Sequence, residues 1–106
     1  ELEFQKRAAF TLMASAAVHR KDLPDAAFAS LLPVIRAQAI DERNYVKKAV
    51  SWALRQIGKR SSGLNSRAVR TAEQIERIDS RAARWVARDA LRELRSDAVQ
   101  ARLRRS

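Results

Sequence analysis

The sequence predicts an all-α fold of stacked antiparallel helix pairs, and three observations carry that expectation. Apolar residues recur at i, i+3, i+4 and i+7 in one segment after another, the spacing of a single helix face. Only two Gly and two Pro interrupt 106 residues, too few for a turn-rich β fold. Apolar residues make up 46% of the chain and 20 of them are Ala, so a core must come from close approach of helices more than from bulky side chains. At this length one domain spanning residues 1–106 is expected.

The periodicity predicts helices at residues 3–19, 24–39, 42–58, 65–77 and 80–95, with a short sixth at 97–104. The first ends in His19, Arg20 and Lys21, where cations suit the negative end of the helix dipole. Pro24 opens the second, and Pro33 is expected to kink or break it. Asp41 is the expected N-cap of the third helix and Gly58 its C-terminal stop. Residues 59–63 read as the longest flexible loop. Asp79 or Ser80, and then Ser96, are expected to cap the last two helices. The first helix has no capping residue and the chain has no initiator Met, so it is expected to be a piece of a longer array.

Weak internal repetition agrees with stacked pairs. Lys6-Arg7-Ala8-Ala9 recurs as Lys47-Lys48-Ala49-Val50, and basic-Ala-apolar-x-Trp occurs at Lys48 to Trp52 and again at Arg81 to Trp85. These offsets of 41 and 33 residues lie in the range of two-helix solenoid units, and the third helix is close to the pattern of the second helix of a HEAT repeat. The expected architecture is therefore a HEAT-like α-solenoid.

Charge narrows the function. The chain carries a formal +10, of which residues 1–40 hold +1 and residues 41–106 hold +9. A field of that sign calls for an acidic partner such as nucleic acid. There is no Cys and one His, which excludes a disulfide scaffold, a thiol nucleophile and a Cys or His metal site, so no metal and no cofactor are expected. No charge-free run reaches the length of a membrane span, and a cytoplasmic, nucleoid-associated protein is expected.

On the third helix Val46, Ala49, Val50, Ala53 and Ile57 form a core face, and Tyr45, Lys48, Trp52, Arg55 and Lys59 form a neighbouring stripe. The fifth helix repeats the design, with Ala83, Val86, Ala90 and Leu94 inside and Arg81, Trp85, Arg88 and Arg92 on the flank. Lys6 and Arg7 hold the equivalent place on the first helix. Laid side by side, these stripes make a basic groove with aromatic walls. The same residues also fit a plainer reading, with the Trp side chains as packing and the charges as a solvated face. A free carboxylate is scarce: Asp41, Glu42 and Asp79 sit at helix starts, and Glu73 and Glu76 share a surface face. Asp89 alone lies within the stripe, where the alternative is an intrahelical pair with Arg92. His19 reads as a helix-end side chain.

The run Asn44-Tyr45-Val46-Lys47-Lys48-Ala49-Val50-Ser51-Trp52-Ala53-Leu54-Arg55-Gln56-Ile57-Gly58-Lys59 resembles the signature helix of the bacterial DNA alkylation repair family, the HEAT-like-repeat alkylpurine DNA glycosylases. Phe4-Gln5-Lys6-Arg7-Ala8-Ala9 is similar to the basic-Arg-Ala-Ala helix that precedes it in that family, and Arg84 to Leu91 follows the pattern more loosely. The resemblance implies the C-terminal part of a right-handed helical solenoid whose concave cleft holds duplex DNA bearing a cationic alkylated purine. It implies that Arg7 is the cleft arginine and Trp52 a cleft tryptophan, and these two are the candidate catalytic residues. Lys6, Arg7, Lys48, Trp52, Arg55, Lys59, Arg81, Trp85 and Arg88 are the candidate DNA-binding set. The family's catalytic Asp comes from helices upstream of the Arg7 motif, so this chain resembles part of an active site. The alternative function is a non-catalytic HEAT-like module that binds DNA or scaffolds an acidic protein. A homodimer through the apolar face of the first helix, with Leu2, Phe4 and part of Phe10, Thr11 and Ala14 exposed, is also expected.

Overall fold

The six periodic stretches become seven helices in a computed structural model, which describes residues 2–105. They are α1 (Leu2–His19), α2 (Asp25–Ala29), α3 (Leu32–Gln38), α4 (Asn44–Gly58), α5 (Ser62–Glu76), α6 (Arg81–Leu94) and α7 (Asp97–Arg105). No strand occurs among the described residues. The extra helix comes from the expected break. Pro33 cannot donate a helical N–H, so the 24–39 segment splits at Ser30 and Leu31, and Pro33 falls in the opening turn of α3.

Two local expectations need correction, and a third holds for a different physical reason. Asp41 does not cap α4, whose N-cap is Arg43 with no side-chain bond. Instead Asp41 turns back to accept from the Arg43 N–H at 3.0 Å and its guanidinium at 2.7 and 3.0 Å, and from Lys6 Nζ at 3.3 Å. The 59–63 segment is not a flexible loop. Ser61 caps α5 by accepting from Leu64 N–H at 3.1 Å and donates to Asp25 at 2.6 Å, so α5 begins three residues before the expected start. Gly58 is the last residue of α4 and has no positive φ. Its smallness serves packing, because a Cβ there would lie 2.6 and 2.9 Å from the Leu94 methyls and 3.0 Å from the Ala68 Cβ. The Ser80 and Ser96 caps form as expected, on the N–H of Ala83 and Val99.

Packing follows from the Ala-rich faces. Helix α4 lies between α1 and α6 and rests on α5, which is in turn covered by α2 and α3. The core runs through all of them, from Phe10, Ala14 and Ala17 of α1 to Val46, Val50 and Ile57 of α4 and Val86, Ala90 and Leu94 of α6. Side-chain pairs between helices recur at similar offsets: Arg36 to Gln74, Ser51 to Asp89 and Arg55 to Glu93 are each 38 residues apart, and Lys6 to Asp41 is 35. Neighbouring members of the α1, α4, α6 row therefore run parallel, in nearly constant register. Glu42 closes one step of that register by accepting from Ala82 N–H at 3.2 Å, so it serves the start of α6 and not its own helix.

Phe10 and Ala14 are core residues, which corrects the expectation that they join an exposed apolar patch on α1. Leu2 and Phe4 are exposed as expected, and Leu12 is 70% exposed.

Candidate nucleic-acid interface

The outward face of the α1, α4, α6 row gathers the aromatic and cationic side chains. With core residues Val46, Val50 and Ile57 turned inward, the 100° step per residue brings Tyr45, Lys48 and Trp52 to the opposite side of α4. Tyr45 is exposed, and Trp52 and Trp85 are each 37% exposed. The two indoles are thus partly packed and partly presented, a mixture of both sequence readings. With the Gln56 amide turned so that its oxygen faces them, it accepts from Trp52 Nε1 and from Lys59 Nζ, each at 3.2 Å, which orients the ring along α4. Lys47 Nζ lies 5.2 Å from the Trp85 ring centroid.

Arg7 is held by rings. Its guanidinium carbon lies 5.4 Å from the Tyr45 centroid and 5.7 Å from that of Phe4, and no carboxylate pairs with it among the described residues. Cation–π contacts orient the group while leaving its N–H donors free for an incoming anion. Lys48 and Arg81 are exposed and likewise carry no ion pair among the described residues.

Other members of the expected set are engaged within the fold. Arg55 pairs with Glu93 at 3.1 Å and approaches Asp89 at 3.6 Å; Lys59 pairs with Glu93 at 2.6 Å. Burial raises the Glu93 carboxyl, but the bonds from Lys59 and Arg55 outweigh it and hold the group below its usual range. Lys6 is spent on Asp41, whose carboxyl the Arg43 guanidinium holds well below the usual carboxylate range, against the opposing effect of burial. Arg88 keeps only a loose contact, 3.8 Å from Glu76. These pairs tie α4 to α6 and α1 to the α4 entry, so the row is stiffened by the same charge type that decorates it.

A model of the DNA alkylation repair enzyme family matches residues 1–94. The chain belongs to the DNA alkylation repair enzyme family. Searches of curated proteins and of solved structures returned no match. Within this member of the family, the α6 carboxylates of the row, Asp89 and Glu93, are both engaged. Asp89 accepts from Ser51 Oγ at 2.6 Å and lies 3.5 Å from Arg92 and 3.6 Å from Arg55. Glu76 faces Arg88, Asp79 pairs with Arg84 at 3.4 Å, and Glu73 pairs with Arg95. No cluster of metal-ligating side chains occurs among the described residues, and no helix there is long and apolar enough to cross a membrane. His19 is exposed at the end of α1.

Sequence reasoning missed Arg60 and Ser51. Ser51 is fully buried, and its hydroxyl is what seats Asp89 on α4. A lone Ser on the core-facing side of a helical pattern was the available signal, since a buried hydroxyl needs a partner.

Proposed function

We propose that the outward face of the α1, α4, α6 row binds duplex DNA as part of a glycosylase that removes cationic alkylated purines. Arg7 carries this reading: it is an exposed guanidinium oriented by two aromatic rings and, among the described residues, left without a carboxylate, the arrangement expected of a phosphate anchor. Family membership favours this enzyme over a scaffold with no chemistry. The parallel row with its near-constant offset supports a HEAT-like solenoid. In this reading Arg7, Lys48, Arg81 and Arg88 meet phosphates, and Trp52 and Trp85 offer indole faces to the cationic base or its sugar. Arg55, Lys59 and Lys6 hold the row in register and add to its field. An indole face attracts such a cation by about 0.5–2 kcal/mol. Hydrolysis adds water at C1′ of the sugar while the electrons of the glycosidic bond return to the purine, which leaves neutral, and the proton lost by the water passes to solvent or to a base. An anion beside the developing sugar cation is required, and the two carboxylates that α6 contributes to the row, Asp89 and Glu93, are already bound to partners.

Four phosphate contacts predict that log affinity for unmodified duplex falls with log salt at a slope near −3.6, at about 0.9 per contact. Titrations across a salt series check this, and a slope near zero would remove the groove. Base release from methylated duplex tests the chemistry. The 106-residue chain should release no alkylpurine above background, whereas the same residues joined to a helix bearing a free Asp should. Release by the chain alone that disappears in Asp89→Asn would make Asp89 the catalytic anion.

The apolar α1 face bears on the assembly. Leu2, Phe4 and Leu12 are exposed together on one helix, and a symmetric pairing of two copies through them is the simplest cover. The +10 charge opposes pairing, so self-association should strengthen as salt rises. Sedimentation across a salt series should show this, with Leu12→Glu monomeric throughout; a monomer at every salt concentration would dismiss the pairing.

A further inference from the structure

The free positive charge of this chain is not confined to the row. A cleft of about 200 Å³ lies between α2, α3 and α5, lined by Leu32, Pro33, Arg36, Arg67, Arg70 and Gln74 among others. Arg67 and Arg70 make no ion pair or hydrogen bond among the described residues, and Arg36 has only the Gln74 amide oxygen, at 2.8 Å. No carboxylate lines the cleft. The acids on these helices are committed elsewhere, Asp25 to Arg60, Glu73 to Arg95 and Glu76 to Arg88. On α5 the core residues Leu64, Ala68, Ala72 and Ile75 face inward toward α4, which turns Arg67 and Arg70 to the side away from it. Trp52 and Lys48 project from α4 on the side away from α5. The two basic faces thus lie on opposite sides of the molecule.

We infer that the Arg36, Arg67 and Arg70 cleft is a second nucleic-acid site, which takes the backbone phosphates of a duplex other than the one on the α1, α4, α6 row. Arginine is the side chain whose planar fork matches phosphate oxygens, and three of them around a site without an acid set up a strong local preference for an anion. The size sets the ligand. At about 200 Å³ the cleft is smaller than the roughly 300–1,000 Å³ typical of sites that enclose whole small molecules, so it fits a phosphate presented by an extended polymer better than a free nucleotide. With both faces occupied, one protein molecule brings two DNA segments together.

The test mixes donor-labelled and acceptor-labelled 12-base-pair duplexes with the chain, at a concentration where sedimentation shows a monomer. Energy transfer between the duplexes is expected for the native chain. It should vanish in Arg67→Gln/Arg70→Gln and survive in Arg104→Gln/Arg105→Gln, which removes the same charge from exposed positions on α7. Absence of transfer in the native chain, its persistence in Arg67→Gln/Arg70→Gln, or its equal loss in the α7 variant would each overturn the site. The inference rests on the groove reading for the first duplex, and Lys48→Glu separates the two. That variant should lose bridging and still bind one duplex through the cleft, with a salt slope near −2.7 for three contacts at about 0.9 each. If Arg67→Gln/Arg70→Gln leaves that residual binding untouched, the cleft is overturned and the groove stands. If Lys48→Glu alters neither bridging nor affinity, the groove reading fails, and single-duplex binding by Arg67→Gln/Arg70→Gln decides the cleft alone.

Discussion

Arg60→Ala should cost the chain about 3 kcal/mol of stability, although the sequence places the residue in a polar connecting segment. The Arg60 side chain is only 7% exposed. It donates to the carbonyl oxygens of Ala17 at 3.1 Å, Arg20 at 2.9 Å and Leu23 at 2.5 Å, all at the C-terminal end of α1 or just beyond it. It also pairs with Asp25 at 3.2 Å and lies 4.3 Å from the Phe28 ring centroid. A helix leaves its last carbonyls without intrahelical partners, and here one guanidinium serves that end of α1 while tying it to α2. Truncation strips those bonds and opens a gap over Phe28; a hydrogen bond to a charged group is worth about 1.5–3 kcal/mol, and water reaching the freed carbonyls returns much of the sum of the four. For a domain of this size about 3 kcal/mol corresponds to a melting temperature lower by roughly 12–24 °C, read by circular dichroism. Arg60→Lys should recover less than half of the loss, because one ammonium cannot span three carbonyls and stack on a ring. A fall of under about 1 kcal/mol in Arg60→Ala would show that water replaces the guanidinium at little cost.

Arg60 also shows where sequence reading stops. Helix periodicity located every helix-forming stretch, because the face of each helix repeats at 3.6 residues and is visible in one dimension. The α4 core face of Val46, Ala49, Val50, Ala53 and Ile57 is buried as the pattern requires, and Ser80 and Ser96 cap as their type suggests. What the pattern does not encode is which polar side chain crosses between helices. Arg60 and Ser61 read as loop because their partners, at Ala17, Arg20, Leu23 and Asp25, lie 35 or more residues away. Asp41 reads as a cap because a carboxylate before a helix usually is one, but the side chains of Lys6 and Arg43 and the Arg43 N–H take its oxygens in place of the first-turn N–H groups of α4. In the row, the stripes of α4 and α6 were legible as stripes. Their charge pairing was not, since Glu93 falls outside the basic stripe of its own helix and meets Arg55 and Lys59 only once α4 and α6 pack side by side.

Gly58 is the other position where one atom decides a helix contact. It sits at the end of α4 where that helix meets both α5 and α6, and Asn65 Nδ2 bridges the Gly58 and Leu94 carbonyls at 3.0 and 3.3 Å. An added Cβ gains about 1 kcal/mol of helix propensity over Gly. Against that stands a contact of 2.6 Å to the fully buried Leu94 and of 3.0 Å to Ala68, whose Cβ has no rotamer by which to move aside. Overpacking of a filled core typically costs about 1–3 kcal/mol, so Gly58→Ala should be destabilising by about 1 kcal/mol net. Gly58→Val adds two methyl groups in the same space and lacks most of the propensity gain, and it should lose about 3 kcal/mol. Gly63 provides the control: it is also helical, but a Cβ there meets nothing within 4 Å, so Gly63→Ala should be neutral or stabilising by up to about 1 kcal/mol. A double-mutant cycle locates the cause. If the Leu94 methyls are the obstacle, Gly58→Val should cost markedly less in a Leu94→Ala background, with a coupling of about 1–2 kcal/mol, whereas independent effects would simply add. The displacement also reaches the interface. Pushing Leu94 away moves the end of α6 from α4 and breaks the register in which Glu93 meets Arg55 and Lys59, so Gly58→Val should weaken DNA binding even at temperatures where the chain remains folded. Full affinity in the folded variant would show that the row does not depend on this crossing.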